Sequence, residues 1–285
     1  MGLTKKSKLL AMVMKKSLTY LQYIFPDLIT NKIYQYLSYP RVRKLRESEE
    51  KVISLAVTEG VIYKDFSLMR YEWGSHNDKI AFLVHGWEGQ TGNFASVIHI
   101  LLKNNFRVIS FDAPSHGNSS KGKTNMFEFS SILISHFIKE KPELVISHSF
   151  GSVNVARVLR ICPEINIKLW FLVTTPNNFK SRIKEMSTKF SLNHNVKKKL
   201  IARIENDAKE NIDDLNMINY CSNLPTVEKA FIIHSKSDKI LPIDGAREVS
   251  QSFKQSEMIE LDNYGHYSIL GSEELLSFLN IQLSK

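Results

Sequence analysis

The chain has 285 residues, of which 43% are hydrophobic and 24% are charged. These fractions are close to the averages of soluble globular proteins, so they allow a buried core and exclude a wholly disordered chain. The net charge of +9 arises in the first 46 residues, where ten Lys/Arg stand against Asp27 alone, because the remainder has 28 basic and 28 acidic residues. A basic leader on a neutral body is not the charge distribution of a nucleic-acid groove.

Cysteine usage and motif content narrow the function classes further. The two cysteines, Cys162 and Cys221, fit neither a metal site nor a disulfide framework, which favours a reduced, cytoplasmic compartment. No P-loop, zinc-finger or RNA-binding motif occurs in the sequence, so we expect no cofactor, no metal and no nucleic-acid partner. The apolar run over 9–14 is shorter than a signal-peptide core of about 7–15 residues or a membrane span of about 20. We therefore expect a chain that is neither secreted nor membrane-spanning.

The first predicted element is a basic arm, residues 1–56, whose one or two helices break near Pro26 and lead into a charged connector at 41–51. Between residues 5 and 37 the pattern places Lys on one side and large apolar residues on the other. Such helices bind anionic membrane surfaces through buried apolar area and charge. The alternative, which we favour, is a helical arm packed on the body with solvated lysines. Peripheral contact with the inner membrane surface therefore remains open.

From residue 57 onward, short apolar runs alternate with helical stretches. The predicted strands cover 62–71, 79–84, 107–111, 144–147, 168–173, 230–234 and 258–261, and the predicted helices 93–103, 126–139, 150–161, 244–253 and 273–283. The runs at 80–84 and 230–233 are apolar at consecutive positions, as strands buried on both faces require. The alternation predicts an α/β domain over 57–285, with a mostly parallel sheet flanked by helices. The interval around 176–225 is too long for a simple crossover and predicts a small inserted helical cap.

The strongest local motif is the pentapeptide at 147–151, which reads SHSFG and lies between an apolar strand and a helical stretch. A nucleophile elbow needs this context, because the sharp strand-to-helix turn presents the hydroxyl of Ser149 above the sheet. Small residues are needed two positions either side, where the strand and helix backbones approach. Gly151 meets that need, whereas Ser147 stands where the usual pattern has glycine. An ordinary turn with a capping serine is the alternative interpretation.

Weaker motifs follow other predicted strands. The loop at 85–89, which reads HGWEG, can offer the Trp87 N–H to a tetrahedral oxyanion. A second N–H donor comes from Phe150, the residue after the nucleophile. Asp238 follows a later strand and can orient a histidine, while His266 lies on a loop after the last strand. Taken singly, each of these is also explained as a turn or surface residue. Together they give the order serine, acid, histidine, which is the triad order of one fold in particular.

With a further turn at 111–119, these motifs resemble those of the α/β-hydrolase superfamily over residues 59–283. That turn reads FDAPSHGNS and is similar to the family's Asp-x-x-Gly-His-Gly-x-Ser, with Ser115 in place of a common glycine, which predicts a slightly different turn. By this resemblance His148 neighbours the nucleophile without being the base, and the cap shapes the substrate pocket. The resemblance implies these roles: nucleophile Ser149, general base His266, orienting acid Asp238, and an oxyanion hole at Trp87 and Phe150.

The resemblance implies a serine hydrolase but leaves its reaction open. A serine at the elbow argues against haloalkane dehalogenases and epoxide hydrolases, which carry Asp there. Carboxylic-ester hydrolysis through an acyl-serine is the commonest activity of the serine type, so the predicted function is that of a serine esterase or lipase acting on a small acyl ester. Thioesterase, amidase, C–C hydrolase and acyltransferase activities remain alternatives, as does a non-catalytic ligand-binding relative.

Overall fold

A computed structural model describes residues 19–284. The described chain divides into two compact units, one holding residues up to Tyr39 with Asn178–Leu215, the other Pro40–Asn177 with the residues from Asn216 onward. Most of the lysine-rich start of the predicted arm, residues 5–18, lies outside the described residues. Within residues 19–284, no helix is both long enough and apolar enough to cross a membrane.

In the described part of the larger unit, eight strands form one sheet. They are β1 Val57–Tyr63, β2 Phe66–Trp73, β3 Lys79–Val84, β4 Phe106–Phe111, β5 Leu144–His148, β6 Ile167–Val173, β7 Val227–Ser235 and β8 Ser256–Leu261. The strand order is β1-β2-β4-β3-β5-β6-β7-β8. Strands β3 to β8 pair in parallel, whereas β1 and β2 pair antiparallel at one edge. The predicted mostly parallel sheet is confirmed.

Helices connect the strands of the larger unit and cover both faces of its sheet, and further helices belong to the smaller unit. In chain order they are α1 Pro26–Ser38, α2 Glu47–Ser54, α3 Ala95–Lys103, α4 Glu128–Glu140, α5 Phe150–Ile161, α6 Phe179–Phe190, α7 His194–Ala208, α8 Met217–Cys221, α9 Asp244–Ser252 and α10 Glu273–Leu283. Leu83 of β3 belongs to a core cluster with residues of α3 and α10. Its neighbour Phe82 points the other way and contacts Phe137 of α4, with ring centroids 4.9 Å apart. Burial on both faces explains the consecutive apolar residues of β3.

Two predicted elements differ in the structure. The single strand predicted over 62–71 is wrong, because β1 and β2 form a hairpin that closes through the pair Tyr63 and Phe66. The two-residue loop places Lys64 at φ 50, a conformation usually taken by Gly or Asn, so the sequence carries no turn signal there. The charged connector at 41–51 includes the start of α2, where the Arg46 N–H donates to the Glu49 carboxylate at 2.7 Å.

In the smaller unit, the described part of the arm packs against helices from the interval where the cap is predicted. Ile29 and Ile33 of α1 are buried, and α1 contacts α7. Lys199 of α7 pairs with Asp27 at 2.6 Å. A backbone break at Phe25 separates α1 from a helical segment over 19–24, next to the predicted break at Pro26. Helix α8, also within the predicted cap interval, belongs to the larger unit.

The hydroxyl of Ser147, on β5, bonds to buried neighbours that would lack this partner if the residue were glycine. Its hydroxyl oxygen accepts the Nε1–H of Trp170 at 2.8 Å and lies 2.8 Å from the Ser152 hydroxyl oxygen. All three residues are fully buried. A buried indole N–H without an acceptor is costly, so the serine satisfies the tryptophan of the neighbouring strand.

Four buried histidines tie loops of the larger unit to one another through backbone hydrogen bonds. The bonds join His85 to the Ala113 N–H, His116 to the Glu88 N–H, His148 to the His266 carbonyl and His234 to the Leu241 carbonyl. Burial lowers the pKa of all four, and that of His148 falls to about 3. These rings are therefore neutral in the folded protein at physiological pH.

We expect Ser147→Ala to lower the free energy of unfolding by about 1–3 kcal/mol, because it leaves a buried donor unpaired. Urea denaturation measures the effect, with Ser54→Ala, an exposed serine at the end of α2, as the matched control. A Ser147→Ala variant as stable as the wild type would contradict this account.

We also expect the free energy of unfolding to fall as the pH drops below about 6.5, the ordinary histidine pKa. Each of the four histidines is neutral when folded and takes up a proton on unfolding, so its contribution is present above that pH and is lost below it. The slope is up to about 1.4 kcal/mol per pH unit for each histidine. Denaturation from about pH 7.5 to about pH 5 measures it. His148→Asn should flatten the slope, and exposed His76→Asn should not; equal slopes in all three proteins would refute the assignment.

Candidate active site

The turn from β5 into α5 holds Ser149 in an unusual conformation. Its φ is 52 and its ψ is −125, a region that costs a non-glycine residue of order 1–3 kcal/mol. The cause lies two residues on, at Gly151. A Cβ there would lie 2.3 Å from the Val84 carbonyl oxygen and 2.8 Å from that of His85, so α5 starts in direct backbone contact with the end of β3. This sharp turn is the elbow that the sequence predicts.

The structure brings together the three residues predicted to form a triad. The Nε2 of His266 lies 3.0 Å from the Ser149 hydroxyl oxygen, and its Nδ1 lies 2.8 Å from the Oδ2 of Asp238. Asp238 and His266 are buried, whereas Ser149 is half-buried and open to a reactant. With Nδ1–H donated to the carboxylate, Nε2 presents its lone pair to the serine hydroxyl.

Asp238 is held as a carboxylate by donors from its own turn. Its Oδ1 accepts the backbone N–H groups of Ile240 at 2.8 Å and Leu241 at 3.0 Å. Burial raises the pKa of this carboxyl, but the hydrogen bonds from His266 and the turn outweigh it, so the net pKa lies below the ordinary value. The group can therefore stay negative beside an imidazolium at neutral pH.

Two further histidines, His234 and His148, contact this chain of hydrogen bonds. The sequence motifs assigned no role to His234. Its Nε2–H donates to the Leu241 carbonyl at 2.9 Å and lies 3.6 Å from the Asp238 Oδ2. His148 donates its Nε2–H to the His266 carbonyl at 2.8 Å, with ring centroids 4.8 Å apart. Both therefore position backbone around the acid and the base. The available signal for His234 was a histidine at a strand end, four residues before the acid.

The HGWEG loop lies against the elbow, where the oxyanion hole is predicted. A Cβ on Gly86 would lie 2.9 Å from the Ser149 Cβ and 3.2 Å from the Phe150 nitrogen, so the chain enters Trp87 directly beside the serine. Phe150 opens α5, and its N–H lies at the positive end of that helix. A small cavity of about 10 Å³, room for about one water, is lined by both residues and by His85, Gly86, Ala113, Pro114, His116, Thr124, Asn125, Met126, Phe129 and Asn154.

The turn at 111–119 has a structural role. The Asp112 carboxylate accepts the Thr91 N–H, the Asn118 N–H and the Tyr71 hydroxyl, each at 2.8 Å, so its oxygens are committed to the fold. Ser115, which replaces the family's glycine, takes a positive φ of 68. Among the described residues, no cluster of three or more His, Cys, Asp or Glu side chains could hold a metal ion.

Comparison with known proteins finds similar proteins by structure alone. No protein-family model and no curated protein matches the chain. An α/β-hydrolase enzyme, MGS-MChE2, from sediment metagenome of the Mar Chica lagoon in Morocco, matches at 19% identity and TM-score 0.56, covering 79% of this chain and 98% of its own. The Pyrococcus furiosus esterase Pf2001 matches at 18% and 0.61, covering 86% and 96%. A thioesterase domain from the curacin biosynthetic pathway matches at 16% and 0.58, covering 79% and 98%.

These likenesses cover nearly the whole of each solved chain, while their sequence identities are too low to carry an activity across. The chain therefore has the α/β-hydrolase fold, as its motifs predict.

Proposed function

We propose that the protein is a serine hydrolase that cleaves carboxylic esters through an acyl-serine intermediate. The observation that carries the proposal is the continuous hydrogen-bonded chain from Ser149 through His266 to Asp238. A nucleophile and base within hydrogen-bond reach, with the base oriented by a third group, is the arrangement that activates a serine. The strained φ of Ser149 supports the same role, because such strain concentrates at functional sites.

In the first half-reaction, the Nε2 of His266 takes the proton of Ser149 as the hydroxyl oxygen attacks the ester carbonyl carbon. The carbonyl oxygen gains negative charge, which the N–H groups of Trp87 and Phe150 stabilise. His266 then passes its proton to the departing alcohol oxygen, and the carbon–oxygen bond to the alcohol breaks. The products of this step are a free alcohol and an acyl-serine.

In the second half-reaction, water takes the place of the alcohol. His266 accepts a proton from water as the water oxygen attacks the acyl carbon, then returns that proton to Ser149 as the carboxylic acid leaves. Asp238 stabilises the imidazolium formed in both steps and keeps the ring in the tautomer with Nδ1 protonated. Thioesters would react by the same steps, and an acceptor alcohol in place of water would give acyl transfer.

We expect Ser149→Ala to lower kcat for p-nitrophenyl acetate by about a thousandfold or more, because it removes the attacking atom. Asp238→Asn should lower kcat by up to about ten-thousandfold, since the histidine loses its tautomer and its counter-charge. Steady-state kinetics measure both changes, and exposed Ser222→Ala is the control.

A fluorophosphonate probe separates an enzyme from a non-catalytic relative. It should label the wild type at Ser149 and leave the Ser149→Ala variant unlabelled, because only an activated serine reacts quickly. A wild type that neither reacts with the probe nor hydrolyses esters or thioesters would overturn the proposed function. Thioester turnover without ester turnover would move the proposal to a thioesterase.

We further expect short acyl chains to be preferred. The acyl carbonyl oxygen has to reach the Trp87 and Phe150 N–H groups, and the cavity beside them holds only about one water. Met126, half-exposed in the lining of that cavity, can be shortened without disturbing the core. Met126→Ala should raise the ratio of kcat/KM for butyrate to that for acetate p-nitrophenyl esters. A wild type that prefers octanoate to acetate would contradict this expectation.

A further inference from the structure

Exposed apolar side chains concentrate in the described part of the N-terminal arm. Tyr20 and Tyr23 are each 72% exposed and Ile24 is 68% exposed. The arm patch, as we name this set, comprises Tyr20, Leu21, Tyr23, Ile24, Phe25, Leu28, Tyr36 and Tyr39. In the larger unit, the exposed large apolar residues are spread over several elements, with no comparable run in one segment among the described residues. Scattered apolar residues are normal on a surface, whereas a run of them within one segment marks an interaction site.

The arm patch faces outward because the opposite side of the segment is anchored. Gln22 is buried, accepts the Asn193 N–H at 2.6 Å and donates to the Ser191 carbonyl at 2.9 Å. In the helix over 19–24, Tyr20, Tyr23 and Ile24 have the i, i+3, i+4 spacing of one face, and Gln22 lies on the other. The inner face is therefore fixed to the loop between α6 and α7, and the aromatic face is exposed.

Charge identifies the kind of partner. Residues 1–39, the N-terminal part of this unit, hold six basic side chains and the single acid Asp27, and that carboxylate is paired with Lys199. Lys32, on α1, and Lys198, on α7, are exposed in the same unit. A basic segment with exposed aromatic and aliphatic side chains matches an anionic lipid surface, where tyrosines lie at headgroup level and cations meet lipid phosphates.

A bilayer surface also suits an exposed helix face. A helix face that projects outward is convex and can insert between headgroups without a matched groove. A protein partner would have to supply a complementary concave surface. We propose that the arm patch docks the protein on an anionic lipid surface, with Tyr23, Ile24 and Phe25 entering the headgroup region.

The test uses the full-length protein and sedimentation with vesicles of phosphatidylglycerol and phosphatidylcholine, compared with pure phosphatidylcholine. We expect binding to the anionic vesicles that weakens at high salt. Ile24→Ser/Phe25→Ser should weaken it by about tenfold or more, because two inserted apolar side chains are lost. The control, Val57→Ser/Ile62→Ser, removes two exposed apolar side chains from β1 and should bind as the wild type does. Point variants are preferable to deletion of the arm, which would uncover the face of α7 that α1 buries.

Other outcomes would overturn the proposal. They are an absence of vesicle binding, equal binding to neutral and anionic vesicles, and equal loss of binding in both double variants. Self-association of the wild type that Ile24→Ser/Phe25→Ser abolishes would assign the patch to a second copy of the chain. Far-ultraviolet circular dichroism and urea denaturation of the same samples verify that each variant is folded, and they keep this proposal separate from the proposed esterase function.

Discussion

The site depends on one close backbone approach, that of Gly151 to the end of β3. Because no side chain fits between this residue and the Val84 carbonyl oxygen, α5 can begin immediately beside the neighbouring strand. That approach forces the sharp turn at Ser149 and its positive φ. It also brings the first N–H groups of α5 against the HGWEG loop. The proposed nucleophile and the predicted oxyanion donors therefore depend on the same packing constraint.

The parallel sheet brings residues that are far apart in the sequence next to this turn. Ser149, Asp238 and His266 each follow a strand of the same sheet, and the carboxyl ends of parallel strands lie at one edge. Buried neutral histidines then fix the loops at that edge: His148 holds the backbone of His266, and His234 holds the turn of Asp238. The same burial that keeps these rings neutral makes the fold sensitive to acid. The histidines that hold the site in place therefore lower the stability of the folded protein at low pH.

Local sequence patterns were sufficient to predict the parts of this fold that depend on residues close together in the sequence. Strand β3 follows from its consecutive apolar residues, and the elbow from a serine and a small residue between strand and helix. Features set by contacts across the fold were out of reach. Ser147 replaces glycine because of Trp170 on the next strand, and the hairpin turns at Lys64 without a glycine. Nothing local to the arm signals that Gln22 is bound by the loop between α6 and α7.

The central claim is that Ser149 carries the acyl group during turnover. The most direct measurement is acid quenching of the protein during steady-state hydrolysis of p-nitrophenyl acetate, followed by mass spectrometry of its peptides. The account predicts one acetyl group per chain, located on the peptide that contains Ser149 and lost once the substrate is exhausted. Turnover that leaves this serine unmodified, or acetylation at another residue that forms and decays at the rate of turnover, would contradict it.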